Sequence, residues 1–245
     1  MKLNNFKRLV IKLSGESLKS KDNSSLFDFN LINNIVKDIK WLIKNNYKVA
    51  IIVGGGNIIR GREFLEKNNS NSISSVTADY MGMLATVLNA MVLKECLEKS
   101  NLTARIKTAF EIEHIGETHH PDSSLKEYND ANILIFACGI GSPFFSTDTV
   151  TALRALELKA DLIIFAKHGI SYAYDKDPNI FKDAKILEQI TFEQTLKLNL
   201  QVVDASAIDL LKKSTITAVI TNFNNLLEPL KKPSFFKGTI LTNNI

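Results

Sequence analysis

The feature that most constrains the fold of this chain is a series of short apolar runs separated by amphipathic or polar segments. The runs are shorter than a typical buried helix and rich in Val, Ile and Leu, which predicts strands buried on both faces. They occupy residues 9–13, 49–53, 133–138 and 162–166, with shorter candidates at 104–107, 218–220 and 239–241. Strands of this kind that alternate with helices predict an α/β fold, a three-layer αβα sandwich with a mainly parallel central sheet.

The predicted helices lie between these strands. Asp28 is a candidate N-cap, and the apolar stripe that follows it over residues 31–43 has a helical period. Further helices are predicted at 58–67, 76–97, 147–158, 192–198 and 205–213, with a short one ending near 128 and a polar loop at 70–75. Since no repeat or low-complexity linker divides the chain, we expect one domain over residues 1–245.

Composition excludes several classes of function. The net charge of +4 is spread over many lysines without an arginine-rich patch, so we expect no nucleic-acid partner, whereas small anionic substrates fit. The two cysteines, Cys96 and Cys138, are far apart and are typical of buried thiols in a reducing compartment. Lys12 interrupts the first apolar run and no run is long enough to span a bilayer, so we expect a cytoplasmic protein without a membrane partner.

Polar residues and glycines follow three of the predicted strands, where ligands bind in parallel sheets. Lys12 lies near the end of an apolar strand, just before Ser14-Gly15. A buried ammonium needs an anionic partner, although a lysine at a sheet edge can also extend its charge to water. The turn Gly54-Gly55-Gly56-Asn57 joins a strand to a predicted helix, where backbone amides can hold phosphate. Arg60, one turn later, suits the same anion or a surface ion pair.

Two further segments complete the set of candidate motifs. Asp79 lies near the start of the long predicted helix, where a carboxylate caps the helix or accepts hydrogen bonds from ribose hydroxyls. Met81 and Met83 beside it are more typical of core packing than of a substrate site. The glycine-containing stretch 139–148 offers backbone amides for a nucleobase edge, and its aromatic pair, Phe144 and Phe145, is also compatible with the core.

Four blocks occur in a characteristic order. They are Lys12-Leu13-Ser14-Gly15-Glu16, Gly54-Gly55-Gly56-Asn57-Ile58-Ile59-Arg60-Gly61, the run from Asp79 to Asn89 with its Met-Gly-Met, and Gly141-Ser142-Pro143-Phe144-Phe145-Ser146-Thr147-Asp148. Together they resemble the bacterial UMP kinases of the amino acid kinase superfamily, from Lys7 to about Thr242. The chain lacks the Gly-x-x-x-x-Gly-Lys-Ser/Thr phosphate loop, and this superfamily uses two glycine turns and a strand lysine instead.

The resemblance implies transfer of the γ-phosphoryl group of ATP to UMP, giving UDP and ADP. Mg²⁺ would be carried mainly by the ATP phosphates, with no protein metal ligands assigned. The N-terminal part would bind mainly UMP and the C-terminal part mainly ATP, in a homohexamer. The implied catalytic residues are Lys12, Arg60, Asp148, which would orient Lys12 or the metal, and Asp204 as a weaker candidate for that work.

The resemblance also implies two sets of binding residues. Those for ATP are Lys12, Leu13, Ser14, Gly15, Gly56, Arg60, His168, Tyr174 and Asp177. Those for UMP are Gly55, Asp79, Ile140, Gly141, Ser142, Pro143, Phe144, Phe145, Ser146 and Thr147. The chain departs from the family at Ile140 and Ser142, where Thr and Asn are common, and around His168, which takes a position usually held by Thr. His119 and His120 lack zinc-site spacing and are expected to be exposed.

Two alternatives remain at this stage. A related kinase would phosphorylate a carboxylate or carbamate, but Asp79 would repel a small acid. A non-catalytic nucleotide- or anion-binding protein of the same fold would not need Lys12 together with both glycine turns.

Overall fold

A computed structural model describes residues 3–20, 22, 24–59, 73–130, 133–232 and 236–243. The chain divides into two compact units, residues 13–147 (unit A) and residues 1–12 with 148–245 (unit B). Each unit contains a mainly parallel sheet flanked by helices, so the α/β prediction is confirmed.

In its described residues, unit A has four strands, β2 (Lys48–Val53), β3 (Ala104–Thr108), β4 (Glu117–Thr118) and β5 (Ile133–Ala137), in the order β4-β3-β5-β2. Every pairing within this group is parallel, with Ala50 opposite Leu134 and Ala104 opposite Ile133. All five residues of β5 are buried, as the apolar run predicts. The helices of this unit are α1 (Phe29–Lys44), α2 (Ser75–Lys99) and α3 (Pro121–Asn129), and α1 and α2 pack together.

Unit B contains β1 (Arg8–Leu13, of which the last residue falls in unit A), β6 (Leu162–Lys167), β9 (Gln189–Thr191), β10 (Thr217–Asn222) and β11 (Gly238–Thr242). Their order is β1-β6-β10-β11-β9, in which β6 and β10 are parallel and β10 and β11 antiparallel. A separate antiparallel pair is formed by β7 (Ala173–Tyr174) and β8 (Ile186–Leu187). The described helices of unit B are α4 (Thr147–Glu157, of which the first residue falls in unit A), α5 (Phe192–Lys197), α6 (Ala205–Leu211) and α7 (Glu228–Lys231). Its 3₁₀ turns span Leu3–Asn5 and Phe223–Asn225, and a further 3₁₀ turn, Gly15–Leu18, lies in unit A.

Helix α1 begins where the sequence predicts. The side chain of Asp28 accepts hydrogen bonds from the amides of Asn30 at 2.9 Å and Leu31 at 3.3 Å, which satisfies two N–H groups of the first turn. The buried residues of α1 are spaced at three to four positions, so the helix presents one apolar face to the interior.

Helix α2 begins earlier than expected. Its N-cap is Ser74, whose hydroxyl accepts from the amide of Thr77 at 3.1 Å, so Asp79 lies in the second turn and does not cap the helix. The capping alternative for Asp79 was therefore wrong, because Ser74 is the residue that caps the helix. The loop expected at 70–75 ends before Ser75, while its residues 70–72 and most of the helix predicted at 58–67 lie outside the described residues.

Two smaller expectations also need correction. The strand predicted at 133–138 ends at Ala137, because Cys138 has a left-handed φ of 63°. His119 is half-buried, its Nδ1 lies 2.8 Å from the hydroxyl of Ser124, and its ring packs edge-on against Phe136. His120 is exposed, as expected.

Helix α2 is apolar on more than one side. By length and composition it is the one helix among the described residues that qualifies as a possible membrane span. From the sequence alone, no such segment is expected. In the structure, 44% of the apolar window of this helix is already buried. A core helix of a globular protein passes the same test. Its exposed large apolar residues form a stripe at helical spacing, namely Val76, Tyr80, Leu84, Leu88 and Met91.

Candidate active site

In unit B, two lysines share one buried carboxylate. Lys12 comes from β1, Lys167 is the last residue of β6, and Asp148 lies in the first turn of α4. Lys12 Nζ is 3.1 Å from Asp148 Oδ1, and Lys167 Nζ is 2.7 Å from Asp148 Oδ2. These three side chains are between 9% and 14% exposed. Two cations and one anion leave this cluster with an excess positive charge, which suits it to a phosphate group.

The electrostatics of this cluster favour its ionised form at the carboxylate. Burial would raise the pKa of Asp148, but the charges of Lys12 and Lys167 outweigh it and hold that pKa below its ordinary value. Burial and the charge of Lys12 lower the pKa of Lys167, against the opposing effects of Asp148 and Asp204. Asp148 therefore stays a carboxylate at neutral pH, whereas Lys167 gives up its proton more easily than an ordinary lysine.

Asp204 occupies a different kind of position. It is the N-cap residue of α6, it is exposed, and its side chain makes no capping hydrogen bond. Asp148, in contrast, is in direct contact with Lys12.

In unit A, the turn at Ser14-Gly15 packs against the turn at Gly54-Gly55-Gly56-Asn57. The amide of Gly54 donates to the carbonyl oxygen of Leu13 at 2.8 Å. A Cβ atom on Gly15 would lie 2.6 Å from both Asn57 Oδ1 and the amide nitrogen of Gly56, which is closer than real Cβ atoms approach. Gly15 therefore has no room for a side chain. Ser14 and Gly56 beside these contacts are half-buried, and they keep access to solvent that a ligand could use.

A buried pair of asparagines, Asn57 and Asn89, holds the glycine turn at residues 54–57. Asn89 Nδ2 donates to the carbonyl oxygen of Gly54 at 2.6 Å and to Asn57 Oδ1 at 2.7 Å. Asn57 Nδ2 donates in return to Asn89 Oδ1 at 3.0 Å and to the carbonyl oxygen of Leu26 at 3.0 Å. Both side chains are buried, so this exchange links α2 to the turn without help from bulk water.

Gly55 is needed for packing against the same helix. A Cβ atom there would lie 2.7 Å from the carbonyl oxygen of Gly82 and 2.9 Å from the Cβ of Ala85. The absent side chain at Gly55 is thus explained by the close approach of α2, and no ligand is needed to account for this glycine.

Asp79 contacts the segment that follows β5. Its Oδ2 accepts a hydrogen bond from the amide of Phe144 at 2.7 Å. The structure therefore brings together two of the residues predicted for UMP. Phe144 and Phe145 are 68% and 53% exposed, so neither is a core residue, and the core alternative for this pair is wrong.

The segment 138–144, here called the acceptor loop, has an unusual backbone. Cys138, Gly139, Gly141 and Phe144 all have left-handed φ angles, of 63°, 58°, 85° and 71°. Such angles in non-glycine residues cost energy and persist only where surrounding contacts hold them. Ile140, Ser142 and Pro143 lie within this loop, and Ser146 and Thr147 follow it, with Ser142 exposed and the other four half-buried.

The remaining residues predicted for ATP lie on the surface of unit B. The ring of His168 is exposed and stacks on Phe223 with centroids 5.7 Å apart. Tyr174 ends β7 and is half-buried, while Asp177 is exposed and accepts from the amide of Asn179 at 2.8 Å. Arg60 lies outside the described residues.

Three residues with a role in this geometry were not predicted. They are Lys167, which contacts Asp148, Asn89, which holds the glycine turn, and Thr86, whose hydroxyl contacts Cys138. A usable signal existed for Lys167, because it ends an apolar strand, and Lys12 also lies near the end of one. Asn89 and Thr86 are ordinary polar residues in a helix, so only the tertiary contacts reveal their work.

Comparison with known proteins agrees with this geometry. Residues 7–222 match the model of the amino acid kinase family. The uridylate kinase of Mycoplasmopsis pulmonis (strain UAB CTIP) is 40% identical over 216 residues, which cover 88% of this chain and 87% of that protein. The uridylate kinase of Helicobacter hepaticus (strain ATCC 51449 / 3B1) is 37% identical over 229 residues, covering 92% and 95%.

Solved structures agree as well. The UMP kinase from Ureaplasma parvum superposes with a TM-score of 0.88 at 33% identity, covering 97% of this chain and 99% of that one. The UMP kinase from Bacillus anthracis superposes with a TM-score of 0.89 at 28% identity, and the match covers 98% of this chain and 97% of that one. Together with the sequence matches, these structures identify the chain as a member of the amino acid kinase family, in its bacterial UMP kinase branch.

Proposed function

We propose that this protein transfers the γ-phosphoryl group of ATP to UMP, giving UDP and ADP. The observation that carries the phosphoryl-transfer chemistry is the pair Lys12 and Lys167 on one buried Asp148. The choice of UMP is supported by the uridylate kinases that match about nine-tenths of the chain. The fold and the family are shared with these relatives, and the assignment of individual residues is our proposal.

The chemistry needs positioning and charge more than proton transfer. The attacking phosphate oxygen of UMP is already ionised at neutral pH, so no general base is required. Lys12 and Lys167 stabilise the charge on the transferring group, and Asp148 holds both ammonium groups in place. Because both oxygens of Asp148 face lysines, its contacts favour orienting Lys12 over binding the metal.

A divalent metal, Mg²⁺ by our proposal, neutralises charge on the ATP phosphates when it is bound. Within the part of the chain that the structure describes, no group of three or more His, Cys, Asp or Glu residues has the arrangement of a metal site.

We assign UMP to unit A and ATP mainly to unit B. Asp79 and the acceptor loop, with Gly55, bind UMP, where the second oxygen of Asp79 accepts from ribose hydroxyls while Oδ2 is engaged by Phe144. His168, Tyr174 and Asp177 bind the adenosine side of ATP, with Asp204 as a weaker catalytic candidate. In unit A, Leu13, Ser14, Gly15, Gly56 and Arg60 are further proposed ATP-binding residues.

We further propose that the protein is cytoplasmic and forms a homo-oligomer, a hexamer by family resemblance. The exposed apolar stripe of α2, formed by Val76, Tyr80, Leu84, Leu88 and Met91, supports a contact between copies. A helix face of this kind repeats on every copy, so two copies related by a two-fold axis can bury it against itself.

The test is release of ADP from ATP by the purified protein with UMP, CMP, dUMP, aspartate or glutamate as acceptor. We expect strong activity with UMP alone and a loss of about 100-fold or more in kcat in Lys12→Met, the scale for removing one preorganised electrostatic group. The Lys12→Met protein also controls for contaminating kinases. Turnover of an acidic amino acid would favour the carboxylate-kinase alternative, and nucleotide binding without turnover would favour the non-catalytic one.

A further inference from the structure

The hydroxyl of Thr86 has contacts at both its donor and its acceptor side. Thr86 is a buried residue of α2, 6% exposed. Its Oγ1 donates to the carbonyl oxygen of Met83 at 2.6 Å and accepts from the amide of Cys138 at 2.8 Å. Since a hydroxyl carries one hydrogen, the bond to Met83 leaves the lone pairs of Oγ1 for the Cys138 amide.

Cys138 is the first residue of the acceptor loop and has a left-handed φ of 63°. Its amide is held by Thr86, and its carbonyl oxygen accepts from the amide of Gly141 at 3.1 Å. A non-glycine residue in this conformation needs contacts that hold it. Thr86 supplies one of these contacts at the point where the chain leaves β5.

Helix α2 holds the loop at a second point as well. Asp79 accepts from the amide of Phe144, seven positions before Thr86 on the same helix. Seven residues correspond to about two turns, or roughly 10 Å along the axis. The beginning and the end of the strained loop are therefore attached to one rigid element.

We propose that Thr86 is a positioning residue for the acceptor nucleotide, which sets the conformation of residues 138–144 through the amide of Cys138. The inference rests on the proposed binding of UMP by this loop. Thr86 acts through the backbone and does not touch the nucleotide. Loss of its hydroxyl is expected to weaken UMP binding and to leave ATP binding unchanged.

A pair of variants separates the hydroxyl from the methyl group. Thr86→Val keeps the shape and removes the hydroxyl, and we expect it to raise the KM for UMP by about tenfold, the scale of one lost hydrogen bond. The KM for ATP should stay within about twofold, since the two lost hydrogen bonds join Thr86 to Met83 and Cys138, and neither residue is assigned to ATP. Thr86→Ser keeps the hydroxyl and removes a buried methyl group, so it should lower the Tm while the KM for UMP stays near the wild-type value.

Thr195→Val is the matched control. Thr195 is also a buried helical threonine, and its hydroxyl donates to the carbonyl oxygen of Thr191 at 2.9 Å in unit B. We expect a lower Tm and unchanged KM values. Any one of three results would overturn the proposal. These are an unchanged KM for UMP in Thr86→Val, an equal rise of the KM values for UMP and ATP in that variant, and an equal rise of the KM for UMP in Thr86→Ser.

Amide hydrogen exchange tests the same proposal without any turnover. Thr86→Val should accelerate exchange in residues 138–146, and exchange in residues 54–57 should stay at the wild-type rate. If the wild-type protein does not use UMP, the proposed function fails on that measurement alone. Protection of 138–146 that is unchanged in Thr86→Val would show instead that the hydroxyl does not position the loop.

Discussion

At the scale of single residues, the chemistry depends on where charges are buried. Lys12 and Lys167 are close to one carboxylate, and this crowding lowers the pKa of Lys167 by burial and by the charge of Lys12. A lysine that must be charged during catalysis therefore loses its proton at a lower pH than an ordinary lysine. This gives the reaction an alkaline limit that arises within the site.

The first prediction concerns this limit. As pH rises through the lowered pKa of Lys167, kcat should fall, and Lys167→Arg should move the fall to higher pH because a guanidinium stays charged. The measurement is kcat against pH at saturating ATP and UMP. An alkaline limb at the same pH in both proteins would show that Lys167 does not cause it.

Linkage gives the same prediction an independent check. The folded protein binds the Lys167 proton more weakly than the unfolded chain, so this group makes the unfolding free energy rise as pH increases from the folded pKa to the ordinary lysine pKa. The contribution of Lys167 to the unfolding free energy is lost as pH falls through the pKa of this lysine in the folded protein. Chemical unfolding of wild type and Lys167→Arg across this range should show the rise in wild type only.

The second prediction concerns Asp79, whose capping role is excluded by Ser74. Asp79→Ala should raise the KM for UMP and leave the KM for ATP nearly unchanged, because it removes the ribose acceptor and frees the amide of Phe144. The wild-type protein should prefer UMP to dUMP for the same reason. Both preferences are measured by steady-state kinetics.

Ser74→Ala is the matched control for this helix. It removes the observed N-cap, so it should cost about 1 kcal/mol of stability without changing either KM. If Asp79→Ala lowers the Tm while the KM for UMP stays unchanged, Asp79 is a structural residue and the ribose role is wrong.

At the scale of elements, helix α2 supports two loops of unit A, the glycine turn at residues 54–57 and the acceptor loop. Its residues hold the glycine turn through Asn89 and the acceptor loop through Thr86 and Asp79. Buried polar contacts of this kind are costly to leave half-satisfied. The stability of unit A should therefore depend strongly on the Asn57–Asn89 pair.

The third prediction follows from that pair. Asn89→Leu leaves two buried acceptors, the carbonyl oxygen of Gly54 and Oδ1 of Asn57, without the donor that Asn89 supplies, so it should lower the free energy of unfolding by about 2 kcal/mol or more. Denaturant unfolding measures this loss. The exposed Asn45, whose amide donates to the carbonyl oxygen of Trp41 at 2.8 Å, is the control, because water can replace its bond.

Asn45→Ala should change stability by less than about 0.5 kcal/mol, the range for surface substitutions. A loss in Asn89→Leu that is no larger than in the control would mean that the buried amide pair adds nothing to the fold.

At the scale of the whole molecule, the apolar stripe on α2 predicts the assembly. The fourth prediction is that Leu84→Glu combined with Leu88→Glu breaks the oligomer into smaller species, because both side chains are about half exposed in the single chain and would place charge in the contact. Sedimentation velocity measures the change. Leu198→Glu, at an equally exposed position in unit B, should leave the sedimentation unchanged.

If the wild-type protein sediments as a monomer, the proposed assembly is wrong. If the double variant keeps the wild-type oligomer, the apolar stripe of α2 is not the contact between copies.

The sequence by itself determined the α/β class and most element positions, because apolar runs and helical stripes record local periodicity. The strands at β1, β2 and β6 begin or end within a residue of the predicted bounds. It also indicated Lys12, the glycine turns and Asp79 as site residues, since chemical type and order along the chain were sufficient for the family resemblance.

Only the tertiary structure decided what these residues contact. The contact between Lys167 and Asp148 joins the end of a strand to the start of a helix, and local periodicity contains no information about that distance. The same holds for Gly55, whose side chain is excluded by α2, and for Thr86 and Asn89, whose hydrogen bonds reach loops more than thirty positions away in the chain. Burial and long-range hydrogen bonding are properties of the packed chain, so they assign these roles only after the elements have come together.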